Sequence, residues 1–237
     1  MSPEPAHSSS TPQEREQGAP LALLPVAATL DYYALPESWQ AQTLVQFAPQ
    51  IIGYLAFALW AAHNRPISIR LGLSRETLLP GFRLGLVTGL ILGILNSLVI
   101  SEVFPSFGYD ITFLKETPHA KIPLPIMMPW FIIAIAGFVE INFRGFLLQR
   151  LAALESSLWK WEPLQRISPL AIAVSSLVFA FDPFMTRTFQ HLHWIAVWDG
   201  IVWGLIVMRT GNLWAAVAAH AVEVIVMYSM VRYMLGA

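Results

Sequence analysis

The sequence predicts an all-α protein, a polytopic integral membrane bundle of six to eight membrane helices behind a short N-terminal tail. Two observations carry that prediction. Charged residues make up 12% of the chain and hydrophobic ones 56%, whereas an ordinary soluble domain carries about 25% charged residues. So little polar surface cannot cover a water-soluble globule of 237 residues, and the natural solvent of such a chain is lipid. The apolar residues also gather into runs of spanning length, which takes about 20 mainly apolar positions.

Residues 1–18 are rich in Pro, Ser, Glu and Gln, the composition of a disordered tail. They lack the basic stretch and adjoining apolar core of a cleavable signal, so the later helices are expected to direct insertion. Residues 19–237 then form the membrane helical domain. Its first apolar stretch, Pro20 to Leu30, is short and ends at Asp31. It reads equally as an interfacial helix or as the start of an extra span. Six longer candidates follow, at roughly 44–62, 84–101, 122–142, 167–182, 194–209 and 212–231. From Gly145 to about Trp161 the pattern is that of an amphipathic continuation of the third span.

Loop charges give an orientation. Arg65, Arg70, Arg75, Arg83, Arg150, Lys160, Arg166 and Arg209 fall in one set of alternate loops, and Lys115, Lys121, Arg187 and Arg232 in the other. The positive-inside rule assigns the first set to the cytoplasm. Six spans then leave the N-terminus outside, and a seventh at 20–35 brings it inside. The architecture points to a bacterial plasma membrane. A net charge of −1 gives no electrostatic case for nucleic acid. With no cysteine in the chain, disulfides, thiolate catalysis and Cys-ligated metals are excluded.

Gly81, Gly85, Gly89 and Gly93 recur every four residues along the second span, and Gly200 and Gly204 repeat the spacing in the fifth. Small residues at this spacing let helix backbones approach closely in lipid. Packing within one chain and a homodimer seam are both open on this pattern.

Ionisable residues at membrane depth cost about 2.5–3.5 kcal/mol on insertion scales and are functional candidates by default. Here they are Glu140, Arg144, Asp182, Asp199, His220 and Glu223. Glu140 and Arg144, four apart, share a helical face and can pair. That pair could fix helix packing, hold a site, or leave Arg144 to snorkel toward the interface. His220 and Glu223 share another face; a packing histidine and a proton-transfer histidine are both consistent with the spacing. Asp182 precedes Pro183, where a helix is expected to end. His191 and His193 make a weak metal signal, and no H-E-x-x-H or comparable ligand spacing occurs, so neither metal nor cofactor is expected. Ser175 and Ser176 have no basic partner nearby in sequence, which argues against a serine nucleophile.

From about 123 to 230 the chain resembles the CAAX-protease and bacteriocin-processing family of intramembrane endopeptidases, the type II CAAX prenyl endopeptidases. The tract Gly200 to Ala221 is similar to the family's third motif region, an arginine-threonine-glycine turn before a helix bearing a catalytic histidine, here His220. Val139 to Leu151 is similar to the first motif, E-E-x-x-x-R-G, with Phe143, Arg144 and Gly145 in register. Ser175 to Ala180 resembles the lead-in to the second motif, F-x-x-x-H.

The resemblance also shows what has been lost. The first glutamate of motif one is Val139, the histidine of motif two is Pro183, and the Asn or Asp of motif three is Val224. In the family a glutamate and a histidine polarise the attacking water, while a second histidine and an asparagine stabilise the oxyanion. Adjacent α-helical positions point about 100° apart, so Glu140 needs a local twist to stand in for position 139. The expected site is Glu140 as base, His220 on the water or the oxyanion, and Arg144 holding Glu140. His191, His193 and Glu223 are candidate auxiliaries.

Two functions follow as expectations: a divergent endopeptidase, or a non-catalytic relative that binds a membrane peptide or partner protein in the old cavity. A transporter is a third reading, but no inverted repeat or pair of broken helices is visible. The expected partners are membrane lipid, a membrane-bound peptide or protein, and a second copy through the glycine faces.

Overall fold

A computed structural model describes residues 17–117, 120, 122–159 and 167–236, and no strand occurs among them. The predicted tail therefore lies outside the described residues except for Gln17 and Gly18. Gln17 exchanges hydrogen bonds with Asn64, its N–H donating to Oδ1 (3.1 Å) and its carbonyl accepting from Nδ2 (2.8 Å).

Eight helices matter to the argument. After a 3₁₀ turn at Ala19–Ala22 come α1 (Leu23–Ala34) and α2 (Thr43–His63). Next are α3 (Leu78–Leu98), prolonged to Ser106, and α4 (Leu124–Leu158). The last four are α5 (Pro169–Ala180), α6 (Pro183–Phe189), α7 (Ile195–Thr210) and α8 (Leu213–Leu235).

Among the described residues, five stretches are long and apolar enough to cross a membrane: α2, Leu78–Ser106, α4, Pro183–Thr210 and α8. The chain is a helical integral membrane protein. The fourth predicted span is shorter than expected. α5 has 12 residues, about 18 Å at 1.5 Å per residue, against a hydrocarbon core of about 30 Å. Asp182 is the reason, since its carboxylate accepts from the N–H groups of Phe184 and Met185 and caps α6 where Pro183 begins it. The fifth span correspondingly starts earlier, at Pro183. α1 also has 12 residues and falls short of a full crossing. The amphipathic continuation of the third span is α4 itself, 35 residues long.

The glycine stripe of α3 is covered from within. A Cβ on Gly85 would lie 2.5 Å from the Ala215 carbonyl oxygen and 2.6 Å from the Ala218 Cβ. Gly81, Gly89 and Gly93 meet Asn212, Val222 and Val226 in the same way. Gly200 faces Arg144 and Ser176, each 2.9 Å from a virtual Cβ, and Gly204 faces Ile172. Both glycine faces are thus filled by helices of the same chain. Of the two readings of the glycine spacing, packing within one chain is the one these contacts display. The arginine-threonine-glycine turn ends α7 at Gly211, which has φ 63°. Asn212 then caps α8 by accepting from the Trp214 N–H.

Candidate functional site

α4 is wound unusually. Over Trp130–Val139 and again over Ile141–Leu148 its N–H groups reach back five residues rather than four. Wide turns of this kind recur at functional sites. The altered winding does not carry Glu140 into the place of position 139. Val139 faces a cavity, and Glu140 meets His220.

Glu140 Oε1 lies 2.7 Å from His220 Nδ1 and 3.2 Å from Arg144 Nη1. All three side chains are buried, Glu140 completely. A carboxylate only accepts, so the contact assigns the Nδ1 proton to the imidazole and leaves Nε2 as its acceptor. The Arg144 guanidinium sits 4.5 Å from the Phe179 ring centroid and 4.9 Å from that of Trp203, a placement that stabilises a cation away from water. The Trp203 ring also stacks on His220, with centroids 4.3 Å apart and planes at 21°. Gly200 makes room for Arg144, because a side chain there would collide with Nη2.

A cavity of about 820 Å³ adjoins this group, within the usual range for ligand pockets. His220, Trp203, Asp199 and Glu223 line it, and Glu140 and Arg144 do not. His220 therefore faces the cavity with Glu140 behind it. The walls are otherwise largely apolar. Trp130 and Phe138, both lining, are 53% and 56% exposed, so the cavity opens sideways along α4.

Asp199 and Glu223 form a second polar knot. Asn96 Nδ2 donates to both Asp199 oxygens at 3.1 Å and to Glu223 Oε1 at 2.9 Å, while Trp198 Nε1 donates to Asn96 Oδ1 at 2.9 Å. Asp182 holds Gln50 Nε2 at 2.9 Å at another part of the wall. Sequence reasoning missed Asn96, Trp203 and Gln50. The first had a signal, an amide amid the apolar run of α3; the other two had none.

His191 and His193 are not at the site. His191 stacks on Tyr109 at 4.6 Å and packs between Phe104 and Phe113. His193 bonds the Gln190 carbonyl and packs on Phe181. Neither lines the cavity, which corrects their expected auxiliary role; the 3₁₀ turn Gln190–Trp194 carries both away from His220. Among the described residues no three His, Asp or Glu side chains converge to hold a metal ion.

Val139 and Val224 line the cavity, and Pro183 opens α6. Comparisons with curated proteins and with solved structures give no match. Residues 121–226, the stretch that carries Glu140, Arg144, Asp199, His220 and Glu223, match the model of the family described as type II CAAX prenyl endopeptidase Rce1-like.

Proposed function

We propose that this chain is a membrane-embedded endopeptidase with a reduced site, in which His220, oriented by Glu140, activates water against a peptide held in the cavity. The observation that carries the reading is the 2.7 Å contact between His220 Nδ1 and Glu140 Oε1 at the cavity wall. On this reading the roles are the reverse of those expected from sequence. His220 is the base, and Glu140 fixes its tautomer and stabilises the imidazolium that forms, the logic of a base with a buried orienting carboxylate. Arg144 in turn holds Glu140.

The reaction is hydrolysis. Nε2 takes a proton from water as its oxygen bonds to the amide carbon, and the same proton passes to the leaving nitrogen as the C–N bond breaks. One acid and one amine result. The lateral opening at Trp130 and Phe138 supports entry of the peptide from the lipid side.

The test is cleavage of a transmembrane peptide by the protein in proteoliposomes. Glu140→Gln and His220→Ala should lose cleavage while remaining folded. Unchanged cleavage in both variants would end the proposal.

A specific observation favours a second reading. Val139 and Val224 give the cavity apolar wall where the family pattern has a carboxylate and an amide or acid. On that reading the chain binds a membrane peptide without cutting it. Peptide retained uncut, equally by the native chain and His220→Ala, is the outcome that supports it.

A further inference from the structure

The end of the cavity near His220 is formally unbalanced. Glu140, Asp199 and Glu223 are buried there against the guanidinium of Arg144, and Arg144 bonds Glu140. Asp199 and Glu223 hydrogen-bond to one another and so share a proton, which leaves an excess of one negative charge on these four side chains when His220 is neutral. Asn96 gives its amide protons to Asp199 and Glu223 but brings no charge. Buried charge without a partner is costly, so such a site favours an incoming cation.

Two further observations point to an occupant. Trp203 lines the cavity, is 1% exposed, and keeps its buried Nε1 without a hydrogen-bond partner among the described residues. Buried indole N–H groups usually have a partner. Nε1 is a donor and asks for a carbonyl. The aromatic rings of Phe131, Phe179 and Trp203 line the same cavity, and aromatic faces attract cations when water is excluded.

We infer that the cavity seats its peptide with a basic side chain, lysine or arginine, against Glu223 and Asp199, and with a backbone carbonyl accepting from the Trp203 indole. The inference rests on the reading that the occupant is a peptide; it does not need the peptide to be cut. The substrate class is then an apolar membrane segment carrying one basic residue close to the amide held beside His220.

The test is equilibrium binding to the full chain in lipid nanodiscs. The probes are fluorescent apolar peptides, N-acetylated and C-amidated, with a single lysine moved stepwise along the sequence. Each is compared with the same peptide carrying acetyl-lysine or norleucine. At one position lysine should bind about thirtyfold tighter than acetyl-lysine, the scale of a buried charge pair. Glu223→Gln and Asp199→Asn, which keep shape, should lose most of that advantage, and thermal unfolding close to that of the native chain reports that they are folded.

Should either variant fail to fold, the comparison on the native chain decides alone. A lysine scan with no position better than acetyl-lysine overturns the inference, and so does a preference that survives in both variants. Tight lysine-dependent binding without cleavage would refute the proposed hydrolysis and leave this inference standing. Cleavage indifferent to lysine would do the reverse.

Discussion

The imidazole of His220 touches the carboxylate of Glu140 across 80 residues of sequence, Nδ1 to Oε1 at 2.7 Å, with both side chains buried. The pair joins the widely wound part of α4 to the middle of α8. Only the histidine reaches the cavity. On the proposed reading, His220 is then the residue that meets a substrate and Glu140 acts through it.

Glu140→Gln should therefore cut cleavage by about a hundredfold or more, the usual worth of a working acid–base group, and should also strand the Arg144 guanidinium. Removing one partner of a buried ion pair costs about 3–5 kcal/mol. Glu140→Gln combined with Arg144→Met should recover much of the stability and none of the activity. Thermal unfolding in detergent, read beside peptide cleavage, separates the two effects.

Val224 stands one helical turn after His220 on α8 and lines the same cavity. An amide there would offer a donor to the developing oxyanion. Val224→Asn should raise kcat by about tenfold with little change in KM, below the full worth of a preorganised donor. The measurement is steady-state cleavage of one peptide by both proteins.

The α3–α8 seam gives a stability prediction with its own control. Gly85→Leu must push into the backbone of Ala215 and the side chain of Ala218, and overpacking of this kind costs about 1–3 kcal/mol or more. Gly137→Ala meets the Ile132 carbonyl oxygen at an ordinary 3.5 Å and should be close to neutral. Denaturant unfolding of the two variants checks the contrast.

The membrane fold was legible because lipid leaves a compositional signature and spans need fixed lengths. The helix ends at 43 and 63, or 213 and 235, fall within a few residues of those expected. α5 was read too long because hydropathy continues through Phe181, whereas the helix obeys the Asp182–Pro183 cap. Ionisable residues at depth pointed to Glu140, Arg144, Asp199, His220 and Glu223, and each is buried. Their grouping was less legible. It depends on the winding of α4, which no periodicity announces, and on uncharged Asn96, which a search for ionisable groups passes over.

Trp203→Phe keeps the ring against His220 and removes one N–H. If that N–H holds a substrate carbonyl, affinity for the norleucine peptide should fall by about threefold to tenfold, the range of a single neutral hydrogen bond. Binding isotherms of the native and variant proteins supply the comparison.

The most direct test of the account is rescue of a histidine deletion. His220→Gly should abolish cleavage of a membrane peptide, and imidazole added to the proteoliposomes should restore part of it, because a diffusible base can then sit against Glu140 in the vacated space. Cleavage by His220→Gly at the native rate without imidazole would contradict a catalytic role for His220.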